Sequence, residues 1–153
     1  MKKIILTAIA ATLTLLAYGE NIKLQSPDGN IKVTVSVDED VTWSLAIGDE
    51  TALDNGRIAM HTSKGTFGEM PKLKSVKRSS VDRTVKPVVA LKQNEIRDNY
   101  NAMTLTFNGN WALEFRAYDN GAAYRFITTS KEELTILDEA SEFVLPAEAT
   151  AYM

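Results

Sequence analysis

EIRDNYNAMTLTFNGNWALEFRAYDNGAAYRF, residues 95–126, is the stretch of this chain that decides its fold. Apolar residues alternate with polar or small ones over residues 103–107 and again over residues 111–117. An alternation of period two places the apolar side chains on one face of a β-strand. Between the alternating runs stand Asn108-Gly109 and Asn120-Gly121, which contain residues that accept a positive φ. The stretch therefore predicts three antiparallel strands joined by two tight turns.

The same alternation is present over most of the remaining chain. It covers residues 31–37 and residues 43–47, and the Pro-Asp-Gly-Asn sequence at 27–30 is typical of a tight turn. We therefore expect a hairpin between residues 22–25 and residues 31–37. Residues 54–71 contain several glycines and fit either a long connection or a pair of edge strands.

These patterns predict an all-β protein with the fold of an antiparallel β-sandwich. Strands about ten residues apart with short connections are typical of such folds. The best helical stripe is the short segment 132–137, which is too short to change the class. The alternation predicts a core that contains Val33, Val35, Trp43, Leu45, Leu105, Phe107, Leu113 and Phe115.

The first nineteen residues resemble a targeting segment rather than part of the fold. Lys2 and Lys3 precede an uncharged apolar run over residues 4–16, and Ala17-Tyr18-Gly19 is a small-x-small site. The apolar run is shorter than the roughly 20 residues of a membrane-spanning helix, which disfavours that alternative. We predict a signal peptide at residues 1–19, no membrane anchor, and export to the periplasm or the medium. The chain contains no cysteine, so its core must be stable without disulfides.

Charge and residue inventory exclude several functions. The formal net charge of −3 argues against a nucleic-acid partner, because phosphate binding needs clustered Lys and Arg on one face. His61 is the only histidine, so the chain cannot build a multi-histidine metal site, and we expect a surface or satisfied loop residue. A glycosidase needs two positioned carboxylates. The acids at 132, 133, 139 and 142 lie among polar residues and are expected to form a solvated face.

Three segments resemble the N-terminal domain of glycoside hydrolase family 97. They are SPDGN at residues 26–30, EIRDNYN at residues 95–101 and DNGAAYRF at residues 119–126, and they occur in the order that the family shows. The resemblance covers roughly residues 24–146. It implies a partial β-supersandwich of the galactose-mutarotase-like kind, forming residues 20–153 and incomplete at the C-terminus.

The resemblance also implies a parent enzyme in which this domain precedes a (β/α)8 catalytic barrel and a small C-terminal β domain. Enzymes of that family are exported and hydrolyse non-reducing-end α-glycosides, as inverting α-glucosidases or retaining α-galactosidases. A calcium ion lies at their active site. The barrel supplies the catalytic acid and the base or nucleophile. It also supplies most of the calcium ligands, with the help of a glutamate from later in the N-terminal domain, so we expect this chain alone to bind no calcium. The partners implied are the barrel and an α-linked oligosaccharide substrate.

The motif residues themselves are expected to be structural. They are Arg97, Tyr100, Asn101, Asp119, Gly121, Tyr124 and Arg125. A cross-strand pair between Arg125 and Glu114 would explain the arginine without a ligand. We therefore assign no catalytic, substrate-binding or metal-binding residue to this chain.

A second interpretation makes the chain a free-standing carbohydrate-binding or structural sandwich. Trp43 and Trp111, if exposed, would stack on sugar rings, whereas their place in the alternation favours the core. A sandwich of the aldose-epimerase type is disfavoured, because that resemblance implies paired histidines.

Overall fold

The structure, a computed structural model, describes residues 20–89 and 93–149. Ten β-strands and no helix are present in these residues. The strands are β1 Glu20–Gln25, β2 Ile31–Val37, β3 Val41–Ile47, β4 Glu50–Thr62, β5 Gly65–Phe67, β6 Leu73–Val85, β7 Ile96–Phe107, β8 Trp111–Tyr118, β9 Gly121–Thr128 and β10 Ile136–Ser141. The all-β prediction is confirmed.

The strands form two antiparallel sheets. The first has the order β1-β2-β3-β4-β10, with β5 also paired to β4, and the second has the order β6-β7-β8-β9. Hairpins connect β1 to β2 and β7 through β9, as the alternation predicts. β10 pairs with a strand distant in sequence, since it returns to the second half of β4.

The core lies between the sheets and consists mainly of the inward residues of β2, β3, β7 and β8, together with Ile22 and Leu24 of β1 and Ile58 of β4. Every predicted core residue is buried except Leu45, which is partly buried. The pairing of β3 with β4 shifts register on both sides of Leu45, so the strict alternation is lost there. Trp111 stacks on Phe107 with ring centroids 4.1 Å apart and on Phe67 at 5.2 Å.

Three local predictions require correction or completion. Residues 54–71, which the sequence left undecided, form most of the long strand β4 and all of β5. His61 lies in β4 rather than in a loop, and its Nδ1 is 2.5 Å from Asp138 Oδ1 on β10. The second predicted turn is displaced by one residue, because Tyr118 pairs with Gly121 and the turn consists of Asp119-Asn120 without a positive φ. At the first turn the positive-φ prediction is confirmed, at Gly109 and at Asn110.

The end of the β6–β7 hairpin extends as a two-stranded ribbon beyond the sandwich. Residues 81–85 pair with residues 96–100, and β8 begins to pair with β7 only at Tyr100. Most side chains of β6 are exposed. Val85 and Ile96 on the ribbon, and Val88 and Val89 beyond it, are exposed apolar residues.

The predicted signal peptide at residues 1–19 lies outside the described residues and stays a prediction. Among the residues that are described, no helix is long and apolar enough to cross a bilayer.

Candidate functional site: a motif cluster and a cleft between the sheets

The three sequence motifs meet at one end of the sandwich. The backbone N–H of Asp28, in the first turn, donates a hydrogen bond of 3.0 Å to Asp119 Oδ1 in the β8–β9 turn. Asn101 of β7 donates from Nδ2 to the carbonyl oxygen of Gln25, at 2.9 Å. Side chains of the second and third motifs thus bond to the backbone of the first turn and of Gln25 just before it, and we call this group of contacts the motif cluster.

The first turn is ordered by its own side chains. Ser26 is buried, donates from Oγ to Asp28 Oδ1 at 2.5 Å and accepts from the Ile31 N–H at 3.0 Å. Asp28 Oδ1 also accepts from the Asn30 N–H at 2.9 Å. The hydrogen bond from Ser26 and then that from Asn30 hold the pKa of Asp28 below its ordinary value. The turn therefore presents the Asp28 N–H to Asp119 in a fixed direction.

EIRDNYN contributes ion pairs and an aromatic contact. Arg97 donates from Nε and Nη2 to the two carboxylate oxygens of Asp82, at 3.0 and 2.9 Å, across the ribbon. This bidentate bond lowers the pKa of Asp82. Tyr100 packs on Tyr118 with centroids 5.0 Å apart, and the Arg116 guanidinium lies 4.6 Å from the Tyr100 ring centre. These contacts support the structural role that the sequence predicts for the motif, although Arg97 and Asp82 are largely exposed.

The third motif leads into a cleft of about 700 Å³ between β9 of one sheet and β10 of the other. Tyr124 projects from β9 and bridges to β10: its hydroxyl is 2.5 Å from Ser141 Oγ and 3.1 Å from Glu139 Oε1. Burial raises the pKa of Tyr124, so the phenol remains protonated and donates. Trp43 lies beneath, with its ring centroid 5.8 Å from those of Tyr124 and Phe143.

Arg125, which lies between Tyr124 and Phe126 in the third motif, forms the predicted cross-strand pair. Its Nη2 donates to Glu114 at 3.2 Å, and Arg116 Nε donates to the same carboxylate at 2.8 Å. Glu114 is directly opposite Arg125 in the β8–β9 register. Although burial opposes ionisation, the hydrogen bonds from Arg125 and Arg116 keep the pKa of Glu114 below its ordinary value. The arginine thus has a structural partner.

Comparison with known proteins identifies the domain. The family model described as Glycosyl-hydrolase 97 N-terminal matches residues 24–153. The chain belongs to this family. The resemblance drawn from SPDGN, EIRDNYN and DNGAAYRF is therefore confirmed, and the family 97 match extends beyond all three motifs.

A curated relative of this family 97 domain is a retaining alpha-galactosidase of Bacteroides thetaiotaomicron. It is 36% identical over 154 residues, an alignment that covers 99% of this chain and 23% of the relative. The chain thus spans about a quarter of that relative's length.

Solved structures agree on the fold. A Glycoside Hydrolase Family 97 enzyme from Pseudoalteromonas sp. strain K8, in complex with panose, superposes with a TM-score of 0.73 at 23% identity, over 82% of this chain and 20% of that one. A beta-arabinopyranosidase superposes with a TM-score of 0.74 at 20% identity, over 83% of this chain and 22% of that one. The all-β sandwich of the family 97 domain is thereby supported independently of sequence.

The four candidate carboxylates of the domain do not converge. Glu132 pairs with Lys64, Glu139 accepts from Tyr124, Glu142 Oε2 accepts from the Arg57 N–H at 3.2 Å, and Glu133 is exposed. Within residues 20–89 and 93–149, no group of three or more His, Asp or Glu side chains is placed to hold a metal ion. Each of these acids therefore has a local partner or faces solvent.

The alternative in which exposed tryptophans stack on sugar rings is wrong. Trp43 and Trp111 are 5% and 6% exposed, so neither presents a free face to a sugar ring. What sequence reasoning missed is the cleft: Glu139 and Ser141 were not expected beside Tyr124, because β10 pairs with β4 and not with its neighbours in sequence. The alternation of Ala122, Tyr124 and Phe126 was the available signal for an inward-facing row on β9.

Proposed function

We propose that this chain is the N-terminal accessory domain of an exported, calcium-dependent α-glycoside hydrolase that acts on α-linked oligosaccharides. In this proposal it packs on a (β/α)8 catalytic barrel of the same polypeptide and shapes the entrance to its active site. The observation that carries the proposal is the family match over residues 24–153 together with the 23% share of the galactosidase relative that the chain covers. A domain that is a quarter of an enzyme acts with the remainder.

Within this class, α-galactosides are the favoured substrates, hydrolysed with retention. The support is the 36% identity to the retaining alpha-galactosidase over nearly the whole chain. The panose-bound enzyme is only 23% identical, which makes α-glucosides the second choice. Since the domain does not itself hold the reacting sugar in this proposal, the preference is tested on the whole enzyme.

The chemistry belongs to the barrel. A retaining enzyme holds two carboxyl groups about 5 Å apart on either side of the scissile bond. The carboxylates of this domain are instead engaged in separate contacts, with Lys64, with Tyr124 and with the Arg57 N–H. Their roles are to fix β4, β9 and β10 relative to one another.

Calcium does not fit the described residues of this domain. Calcium needs six to eight converging oxygen ligands. The two acids of the motif cluster, Asp28 and Asp119, are used in turn hydrogen bonds. We therefore assign the calcium ligands of the enzyme to polypeptide outside residues 20–89 and 93–149.

The test compares two proteins. The enzyme encoded by the whole reading frame is assayed with nitrophenyl α-galactoside, α-glucoside and β-arabinopyranoside, with calcium and with a chelator. Residues 20–153 alone serve as the matched control. We expect chelator-sensitive turnover of α-galactoside by the whole enzyme and none by the control.

Two results would contradict the proposal. One is turnover by residues 20–153 that is abolished by Glu132→Gln, Glu133→Gln, Glu139→Gln or Glu142→Gln, which would place the chemistry in this domain. The other is a whole protein without activity on any of the three glycosides. Calorimetry of residues 20–153 with galactose, glucose and calcium separates a free-standing sugar-binding module from an accessory domain, because only the former binds a sugar.

A further inference from the structure

We propose that the open edge of β9 pairs with one further β-strand of the same polypeptide, and that this strand fills the cleft between β9 and β10. The occupant is a segment of the enzyme that follows residue 149. The inference rests on the proposed function only in that the enzyme has polypeptide beyond that residue.

The direction of the backbone groups of β9 follows from its register. Tyr118 and Gly121 close a two-residue turn, which makes them a hydrogen-bonded pair, and such pairs alternate along an antiparallel ladder. Ala123, Arg125 and Ile127 therefore bond to β8. The Thr129 N–H, which donates to Asn110 O at 2.9 Å, has the same parity. The N–H and C=O groups of Ala122, Tyr124 and Phe126 thus point away from β8.

The side chains of those residues show that this edge is not built for solvent. Ala122, Tyr124 and Phe126 line the cleft and are half-buried. Natural edge strands are blocked by charges, prolines or bulges. β9 contains no proline, its pairing with β8 is regular, and its one charged residue, Arg125, is paired with Glu114. The edge thus has strand geometry, an apolar inner row and no such block.

The opposite wall of the cleft also exposes apolar side chains that a further strand would cover. Phe143, Val144 and Leu145 follow β10 and are 58%, 45% and 51% exposed, although Phe143 packs edge-on against the buried Trp43. Val144 O accepts from the Asp54 N–H at 2.8 Å, so this segment continues along β4 and is held beside the cleft. The chain at residues 143–145 therefore runs beside the cleft, on the wall opposite the open edge of β9. A strand with alternating apolar residues would cover both walls at once.

A sugar is a poorer occupant of this cleft. The polar groups in it are already satisfied by one another, since Tyr124, Glu139 and Ser141 form a closed set of hydrogen bonds. Arg125, also in the lining, is paired with Glu114, and Trp43, Phe126 and Phe143 make most of the remaining lining apolar. Apolar side chains of a strand match this lining, and the free backbone groups of β9 match its backbone.

The first test is amide hydrogen exchange in the whole enzyme, resolved to single residues by fragmentation. We expect Ala122, Tyr124 and Phe126 to exchange at least about 100-fold more slowly than unprotected amides. Ala123, Arg125 and Ile127 bond to β8 and are the internal control. Fast exchange at the first set, with protection of the second, would overturn the proposal. Protection that disappears on dilution would assign the edge to a second copy and would also overturn it.

The second test uses proline, which removes a single N–H. In the whole enzyme, Ala122→Pro should lower the apparent Tm by at least about 3 °C, because a paired N–H is lost. Ala123→Pro, which breaks a bond to β8, is the reference for a paired position. An Ala122→Pro enzyme that melts like the wild type has a free edge, which refutes the proposal. This test measures stability and not activity. A wild-type enzyme without glycosidase activity would therefore count against the proposed function and not against this strand.

Discussion

Gly56 offers a quantitative test of how β10 is attached to the first sheet. A Cβ placed on Gly56 would lie 2.2 Å from the carbonyl oxygen of Glu142, where ordinary contact begins at 3.4 Å. The obstacle is backbone, which cannot rotate away as a flexible side chain does. Gly56→Ala must therefore displace the segment after β10 by about 1 Å or leave β4 strained.

The expected cost follows from what that displacement breaks. The Glu142 N–H donates to Arg57 O at 2.9 Å, and the Arg57 N–H donates to Glu142 Oε2 at 3.2 Å. Hydrogen bonds of this kind contribute about 1 kcal/mol each, and overpacking a well-filled site costs about 1–3 kcal/mol. If the segment moves away, the hydrogen bonds are lost but the overpacking is relieved; if it stays, the overpacking remains but the hydrogen bonds are kept. The two costs are therefore alternatives and are not added. We expect Gly56→Ala to lower the free energy of unfolding by about 1–3 kcal/mol.

Gly121 is the matched control. It also lies in a strand, its φ is not positive, and no atom lies within 4 Å of a Cβ placed there. Replacing glycine with alanine at such a site should stabilise by about 0.5–1 kcal/mol. Urea unfolding of residues 20–153, at a protein concentration where sedimentation shows a monomer and followed by far-ultraviolet circular dichroism, measures both variants. If Gly56→Ala is as stable as Gly121→Ala, the attachment of β10 to β4 described here is wrong.

Three further outcomes are expected. Phe115→Ala should cost about 3–5 kcal/mol in urea unfolding and Phe115→Leu clearly less, because this fully buried ring packs between the sheets; equal costs would contradict its place in the core. Because the pKa of Glu114 is lowered in the fold, its ionised carboxylate stabilises the protein at a pH above the ordinary pKa of 4.5, and this contribution is lost as the pH falls through the folded pKa. Glu114→Gln should therefore flatten the dependence of the urea midpoint on pH in the acid range, and an unchanged slope would be evidence against the Arg116–Glu114–Arg125 contact. Residues 20–153 alone should self-associate through exposed apolar residues and strand edges, which sedimentation at two concentrations detects; a clean monomer at both would favour a complete module.

Local pattern was enough to predict the hairpins. The alternation in β2, β3, β7 and β8 shows directly which residues face the core, because one face of each strand is apolar and the other polar. It failed where the pairing is irregular. β4 pairs with β3 through shifted register and then continues between β5 and β10, so its burial follows no period of two and its sequence resembled a connection.

The candidate site could be predicted only in part, because its contacts join distant segments. The Glu114–Arg125 pair was predictable, since the two residues face each other across one short hairpin. The bond from Asp28 to Asp119 was not, because nothing in either turn indicates that the turns adjoin. The displaced turn at Asp119-Asn120 has a different, local cause. The glycine suggested a turn residue with a positive φ, whereas Gly121 is the first residue of β9 and has no positive φ.

The motif cluster has a consequence for the order in which the chain folds. The Asp28–Asp119 hydrogen bond spans 91 residues and the Asn101–Gln25 bond spans 76. As the chain emerges with its N-terminus first, the first hairpin can form by itself, but its turn has no anchor until the β8–β9 turn has emerged as well. Folds dominated by such distant pairings close in milliseconds to seconds rather than microseconds. The first two strands therefore remain a hairpin without this anchor while most of the domain emerges.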